Sequence, residues 1–273
     1  MLLTGANRLM GGVSGPIDGH AHVFHHALPM APGRRYTPTA DATLADYAAL
    51  LRGHGLAGGL LVQPSFLGAD NSFLLAALRE AEAWEDLALR GVVVLDPADP
   101  GWPQALAEAD AAGVVGMRLN LVGRPADAAA LAPWEPLLAA VSARGWHVEL
   151  HCEGARLAPV LEALLTRCET VVVDHFGLPS DAAGAACPGH RAILAAPRGR
   201  VFVKVSAPYR VFPRLASAEA ARACRTVFGR LAGALGPEQL LWGSDWPWTQ
   251  FEGRHDYAAS LGWQACWTGA SGA

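Results

Sequence analysis

The sequence has little charge. Charged residues make up 17% of its 273 positions, and the formal net charge is −4. Soluble proteins usually have about 25% charged residues, so this composition indicates a large buried interior. The mild acidity argues against a general nucleic-acid binder, which would carry a basic surface. No apolar run approaches the roughly 18 residues of a membrane span, so we expect no membrane partner.

Cysteine is also scarce, and several common motifs are missing. The five cysteines are scattered and form no C-x-x-C pair, which argues against a disulfide framework or a zinc ribbon. The first residues lack the charged start and apolar core of a signal peptide, so we expect a cytoplasmic protein. Neither G-x-G-x-x-G nor G-x-x-x-x-G-K-[ST] occurs, which disfavours a doubly wound nucleotide-binding sheet.

What the sequence does contain is an alternation of short apolar runs and Ala/Leu-rich helical stretches. Several of the runs are apolar at nearly every position, as in parallel strands that are buried on both faces. Eight β/α units in about 250 residues predict an α/β fold of the TIM (β/α)₈ barrel type. The eight predicted strands cover residues 16–22, 58–63, 89–95, 114–121, 146–152, 170–175, 200–206 and 239–245.

We expect the barrel over residues 17–248, with residues 1–16 as an N-terminal extension and 249–273 as an atypical C-terminal tail. The tail contains four glycines, and within it residues 257–261 alone have helical character. We therefore expect the closing helix of the barrel to be incomplete. A frameshifted or truncated C-terminus is our hypothesis for this tail.

Four histidines and an aspartate fall at the ends of predicted strands. His20 and His22 point to the same side of the first strand, because side chains alternate along a strand. His151, His175 and Asp245 end three other strands, and strand ends converge on one mouth in a barrel. Imidazoles with one carboxylate suit Zn²⁺, Mn²⁺ or Fe²⁺, and the carboxylate could also be a general base toward water. Each residue taken alone is equally consistent with an ordinary polar strand end.

Two arginines form a second group. Arg118 lies inside an apolar strand, and Arg124 follows six residues later in the next loop. Guanidinium groups bind carboxylates through paired, charge-assisted hydrogen bonds, so the pair predicts a small anionic substrate. Arg124 by itself is as well explained as a surface residue.

Seven motifs together resemble one known family over about residues 17–248. The chain is similar to the amidohydrolase superfamily, in its amidohydrolase-2 branch, and within that branch to the 2-pyrone-4,6-dicarboxylate lactonase group. The motifs are D-G-H-A-H-V-F at 18–24, R-Y-T-P at 35–38, V-Q-P-S-F-L-G-A-D-N at 62–71, G-M-R-L-N-L-V-G-R at 116–124, G-W-H-V-E-L-H at 145–151, V-D-H-F-G at 173–177 and W-G-S-D-W-P at 242–247.

The resemblance implies a hydrolase barrel with one of two cofactor states. Many superfamily members hold one or two metals at the strand ends. Arg118 stands where a binuclear site has its bridging carboxylated lysine, which argues against two metals. The lactonase group works without a metal. We therefore expect no cofactor, or one divalent ion, Zn²⁺ or Mn²⁺, held by His20, His22, His151 and Asp245.

The resemblance also implies a set of residues around the substrate. Arg118 and Arg124 match the group's carboxylate-binding arginines. Further positions around the substrate are Tyr36, Ser65, His151 and Arg210. The group commonly reads D-H-x-G-R-P after strand six, whereas this chain has Leu178 in place of that arginine, which leaves the exact substrate open.

Our functional hypothesis is hydrolysis of a carboxylated lactone of the 2-pyrone-4,6-dicarboxylate kind, as in the degradation of aromatic compounds. Asp245 would be the general base, and His20, His22 and His175 would polarise the lactone carbonyl. One alternative is a metal-dependent decarboxylase or sugar-lactone hydrolase of the same superfamily. Another is a non-catalytic barrel that binds a small acid. The oligomeric state stays open.

Overall fold

One sheet of eight parallel strands, in sequential order, forms the centre of the molecule. The computed structural model describes residue 3 and residues 5–11, 13–179 and 186–269. Each strand overlaps its predicted run, which confirms the predicted TIM barrel. The strands are β1 (Ile17–Ala21), β2 (Gly58–Val62), β3 (Ala88–Val93), β4 (Val114–Asn120), β5 (His147–His151), β6 (Val171–Val173), β7 (Val201–Val205) and β8 (Leu240–Trp242).

Helices surround the sheet, and in the part of the chain that the structure describes none is long and apolar enough to cross a membrane. Sequence periodicity did not predict α1, α7 and α8, which are all short. The helices are α1 (Gly5–Leu9), α2 (Leu44–Gly53), α3 (Ser72–Ala81), α4 (Trp102–Ala111), α5 (Glu135–Ala143), α6 (Gly154–Leu165), α7 (Pro188–Leu194), α8 (Pro208–Val211), α9 (Ser217–Leu235) and α10 (Tyr257–Thr268).

The bottom of the barrel interior is apolar. The residues that pack there are Met10, Ile17, Leu60, Val62, Val92, Val172, Phe202 and Leu241. Met10 belongs to the predicted N-terminal extension, yet it is fully buried in this layer. The Arg8 guanidinium also lies over the Phe202 ring, 5.5 Å from its centroid. The N-terminal segment therefore packs against the amino-terminal end of the barrel.

The seam between β1 and β8 has few backbone hydrogen bonds. The Asp245 amide donates to the His20 carbonyl oxygen (2.9 Å), and the His22 amide donates to the Trp246 carbonyl oxygen (2.8 Å). The two segments form one isolated parallel bridge, between Ala21 and Trp246. These contacts place the HxH segment of β1 directly beside Asp245.

A buried carboxylate completes the seam below those contacts. Asp18 accepts from the Ser244 amide (2.8 Å), the Ser244 hydroxyl (2.5 Å) and the Tyr257 hydroxyl (2.8 Å). The close approach requires glycine next to Asp18, since a Cβ at Gly19 would lie 2.6 Å from the Trp242 carbonyl oxygen. Burial raises the pKa of Asp18, and these hydrogen bonds favour its charged form.

The C-terminal tail contains a longer helix than we expected. The prediction that helical structure is limited to residues 257–261 was wrong, because α10 continues to Thr268. The Asp256 side chain caps the first turn by accepting from the Ala259 amide (2.8 Å). Gly269, with φ of 72°, ends the helix in the left-handed conformation that glycine adopts without strain.

Burial of tryptophans explains why this glycine-containing segment forms a helix. Trp263 and Trp267 are 5% and 4% exposed. The Trp267 indole nitrogen donates to the Ala221 carbonyl oxygen of α9 (2.8 Å). Tertiary packing thus outweighs the low helix propensity of Gly262.

Removal of the Trp267 side chain tests whether α10 is an integral part of the fold. We expect Trp267→Ala to lower the free energy of unfolding by about 3–5 kcal/mol, measured by denaturant titration, because it empties a buried aromatic site. The exposed Leu215, which is 37% accessible, provides the control, and Leu215→Ala should change stability by less than about 0.5 kcal/mol. Equal effects of the two variants would show that α10 does not stabilise the barrel.

Candidate active site

The carboxyl ends of the strands surround a central cavity of about 40 Å³. Its lining residues are His22, Arg35, Tyr36, Pro64, Ser65, Phe66, Arg118, Asn120, His151, His175, Arg210, Asp245, Thr249 and Gln250. Of the ten site residues predicted from the sequence, eight line this cavity. His20 is fully buried beside it, and Arg124 is exposed elsewhere.

Arg124 lies in a second cavity of about 420 Å³, which we call the lateral cavity. This cavity lies over the ends of β3 and β4 and shares Arg35, Ser65, Arg118 and Asn120 with the central cavity. Its remaining lining residues are Gly33, Arg34, Gly68, Ala69, Val94, Leu95, Asp96, Leu119, Leu121, Val122, Gly123, Arg124 and Trp134.

One oxygen of Asp245 faces three imidazole rings. Asp245 Oδ1 lies 3.6 Å from His20 Nε2, 3.8 Å from His22 Nε2 and 3.8 Å from His175 Nε2. Both Asp245 Oδ1 and His20 Nε2 are buried without a hydrogen-bond partner among the described residues. Such atoms are costly unless a ligand or water contacts them, so they mark the point where chemistry can occur.

The other oxygen of Asp245 is held firmly. Asp245 Oδ2 accepts from the Tyr209 hydroxyl (2.6 Å) and from Arg210 Nε (2.7 Å). Burial alone would raise the pKa of Asp245, but Arg210, His175 and His22 outweigh it and hold that pKa well below its ordinary value. The carboxylate is therefore ionised at neutral pH. Sequence reasoning missed Tyr209, whose one signal was its position beside Arg210.

Two of these residues have unusual backbone conformations. Asp245 has φ of 58° and His175 has φ of 49°, in the left-handed region. For residues other than glycine this conformation costs on the order of 1–3 kcal/mol, and such strain concentrates at functional sites. The strain supports the assignment of this mouth as the active site.

Hydrogen bonds to the Nδ1 atoms fix where two imidazoles carry their protons. His22 Nδ1 lies 2.7 Å from the Val62 carbonyl oxygen, which can only accept, so this Nδ1 carries the proton. His20 Nδ1 lies 3.0 Å from Lys204 Nζ, which donates to it. A neutral His20 therefore presents an N–H at Nε2, whereas a neutral His22 presents a lone pair there.

The Nδ1 atoms of His151 and His175 also make hydrogen bonds to buried side chains. Arg118 Nη2 donates to His151 Nδ1 (3.1 Å), so a neutral His151 also presents an N–H at Nε2. His175 Nδ1 pairs with the Ser206 hydroxyl (2.8 Å), which can donate or accept. Burial lowers the pKa of His20 and His151 well below the usual value and that of His175 to about 4. These three rings are neutral near pH 7.

A layer of buried charges lies beneath the histidines. Lys204, the single lysine of the sequence, donates to Glu149 and lies 3.8 Å from Asp174 Oδ1. Arg118 Nη2 donates to Asp174 Oδ2 (2.8 Å). Burial and the nearby Asp174 raise the pKa of Glu149, whereas Arg118 and Lys204 overcome burial and lower that of Asp174. Sequence reasoning missed Glu149, Asp174 and Lys204.

The donor set can be compared with what a metal ion requires. Ligand atoms of His20, His22 and Asp245 lie within 4.8 Å of one another. A metal-binding histidine normally donates its other N–H to a carboxylate or carbonyl. His22 does so, but His20 and His151 receive hydrogen bonds from cations, which leaves a proton on the nitrogen that would bind the metal. With these tautomers the expected four-ligand set does not fit a divalent ion, although Glu149 Oε1 and Asp174 Oδ1 each lie 3.5 Å from His20 Nδ1.

Comparison with known proteins shows the family to which the chain belongs. The Amidohydrolase family model matches residues 17–267. The 2-pyrone-4,6-dicarboxylate hydrolase of Comamonas testosteroni is 32% identical over 243 residues, which are 86% of this chain and 77% of that protein.

Two solved structures have the same fold. A Pseudomonas putida protein assigned as a 2-pyrone-4,6-dicarboxylic acid hydrolase has 41% identity and a TM-score of 0.81, over 92% of this chain and 90% of that one. An Acinetobacter baumannii protein with the same assignment, solved with citric acid bound, has 30% identity and a TM-score of 0.83, over 92% and 91%. With a family match that spans nearly all of the barrel, this chain belongs to the amidohydrolase family.

Proposed function

We propose that this protein hydrolyses a carboxylated lactone of the 2-pyrone-4,6-dicarboxylate type. The observation that carries the proposal is the convergence of Asp245 Oδ1 with three imidazole nitrogens at a mouth lined by arginines. The hydrolase relatives from Comamonas testosteroni and Pseudomonas putida support the substrate class.

The proton positions on the histidines indicate a different role for each site residue. His20 Nε2–H is placed to donate to the lactone carbonyl oxygen and to stabilise the oxyanion that develops there. Asp245 Oδ1 and the His22 Nε2 lone pair, 3.8 Å apart, are placed to accept the two hydrogens of one water molecule. This assigns His22 to the water, whereas the sequence analysis assigned it to the carbonyl.

The reaction is then an ordinary ester hydrolysis. Asp245 removes a proton as the water oxygen bonds to the carbonyl carbon. Collapse of the tetrahedral intermediate breaks the ring C–O bond, and the proton that Asp245 took from the water passes to the leaving oxygen. The low pKa of Asp245 keeps the base form populated but makes it a weak base, so polarisation of the carbonyl has to supply much of the rate.

The arginines would hold the carboxylates of the substrate. Arg118 and Arg210 line the central cavity, although each already pairs with an aspartate. The citric acid bound by the Acinetobacter baumannii relative supports a small polycarboxylate as the ligand. Arg124 contributes from the lateral cavity as an attractive charge for the incoming anion.

Replacement of the base tests the mechanism. We expect Asp245→Asn to lower kcat about 10²- to 10⁴-fold while the Kd for a dicarboxylate inhibitor changes by a few fold, because the charge that accepts the water proton is lost. Tyr209→Phe is the matched control, since it removes a hydrogen bond to Oδ2 and leaves Oδ1 in place. Near-normal turnover by Asp245→Asn would remove the general-base assignment.

Arg124→Met should act on binding more than on chemistry. We expect KM for 2-pyrone-4,6-dicarboxylate to rise about tenfold with kcat within about twofold, because a charge outside the reacting centre contributes to ground-state binding. Arg222→Met, at an exposed position of α9, is the control for loss of one positive charge. A kcat loss without a change in KM would contradict this role.

The proton positions predict hydrolysis without a metal. Purified protein should hydrolyse 2-pyrone-4,6-dicarboxylate at the same rate with and without a chelator, with substoichiometric metal by elemental analysis, because the His20 Nε2 lone pair is occupied by a proton. Activity that a chelator abolishes and Zn²⁺ or Mn²⁺ restores would instead favour the metal-dependent decarboxylase or sugar-lactone alternative. Dicarboxylate binding without any turnover would favour the non-catalytic barrel.

A further inference from the structure

The lateral cavity has the features of a binding site in its own right. Its volume of about 420 Å³ falls within the range of small-molecule sites, which runs from roughly 300 to 1,000 Å³. Apolar residues form part of its wall, namely Val94, Leu95, Leu119, Leu121, Val122 and Trp134. The cavity adjoins the central one, because Arg35, Ser65, Arg118 and Asn120 line both.

The charges around the lateral cavity are unbalanced. Four arginines line it, Arg34, Arg35, Arg118 and Arg124, and Asp96 is the one carboxylate among its described lining residues. Such an excess of positive charge around an apolar pocket suits an anionic ligand.

These arginines differ in how far their charge is compensated. Arg118 is paired with Asp174, and within the described ranges no carboxylate lies within salt-bridge distance of Arg34, Arg35 or Arg124. Arg34 is nevertheless engaged, because its guanidinium donates to the Thr37 hydroxyl (2.8 Å). Arg35 makes one long hydrogen bond, to Asn120 Oδ1 (3.4 Å).

Arg35 also occupies the boundary between the two cavities, since it lines both. Partial burial and the guanidinium groups of Arg118, Arg124 and Arg210 lower its pKa, and Glu153 opposes them. An anion beside Arg35 would relieve this repulsion among like charges.

We propose that the lateral cavity is a subsite for a second acidic group, which the substrate carries on an apolar arm, and that the Arg35 guanidinium binds that group. The substrate class is then a lactone whose outer carboxylate is separated from the ring by several atoms. The inference rests on the proposed lactone hydrolysis only for the identity of the ring. The apolar arm of the substrate and its acidic group are inferred from the volume, the apolar lining and the arginines of the lateral cavity.

Linear dicarboxylates can measure this subsite without turnover. Calorimetry would compare succinate, glutarate, adipate and pimelate with the monocarboxylates of equal chain length. We expect one of the longer dicarboxylates to bind about ten times more tightly than its monocarboxylate partner, as a charge-assisted hydrogen bond to Arg35 would provide. Arg35→Gln should bring this ratio close to one, and Arg35→Lys should retain part of it.

Two further variants complete the design. Arg34→Gln removes the neighbouring charge and should leave the ratio within about twofold, because that guanidinium is engaged with Thr37. Ala69→Phe fills the exposed wall of the cavity and should weaken the longer acids while sparing succinate. Circular dichroism and thermal melting verify that each variant is folded.

The outcomes separate this inference from the proposed function. Equal affinities of dicarboxylates and monocarboxylates at every length would overturn the subsite, as would equal losses in Arg34→Gln and Arg35→Gln. Failure to hydrolyse 2-pyrone-4,6-dicarboxylate, combined with the length-dependent binding described above, would leave the subsite standing and reject only that compact substrate.

Discussion

The site depends on four ionisable side chains that are buried together inside the barrel. Arg118, Glu149, Asp174 and Lys204 are each at most 4% exposed. Ions of one sign alone could not be buried there, because the loss of hydration would cost several kcal/mol for each. Together they compensate one another, and two of them donate to His20 and His151 from below. The charge layer therefore decides which imidazole nitrogens reach the cavity as donors.

The seam of the barrel connects this layer to Asp245. Where neighbouring strands elsewhere share a ladder, β1 and the segment after β8 share two backbone hydrogen bonds and the Asp18 carboxylate. The Asp245 amide donates a hydrogen bond to the His20 carbonyl oxygen. The two residues whose side chains face each other are therefore also joined through their backbones. Tyr257 of α10 reaches the same Asp18, which links the C-terminal helix to the geometry of the site.

Compensation of charge also separates the arginines into two kinds. Arg118 and Arg210 are paired with Asp174 and Asp245, so they add little net charge to the central cavity. Arg35 and Arg124 have no such partner within the described ranges, and they lie at or near the lateral cavity. The uncompensated positive charge that attracts an anion over a distance therefore lies on the outer pair.

The amino-acid sequence by itself determined the fold class, the eight strands and the strand-end residues that meet at the mouth. This was possible because apolar periodicity follows from burial on both faces of a strand, and because strand ends converge in any barrel. The same reasoning ended the last helix at residue 261, seven residues too early. Local helix propensity contains no information about the burial of Trp263 and Trp267 against α9.

Tertiary structure alone decided the proton positions and which cavity each arginine lines. Lys204 and His20 are 184 residues apart, and no sequence pattern shows that one donates to the other. The tautomer of each histidine depends on which atom lies behind its Nδ1, and that is set by strand register across the barrel. Arg35 and Arg124 are similar as loop residues in sequence. Only the loops' position over the strand ends shows that Arg35 lines both cavities and Arg124 one.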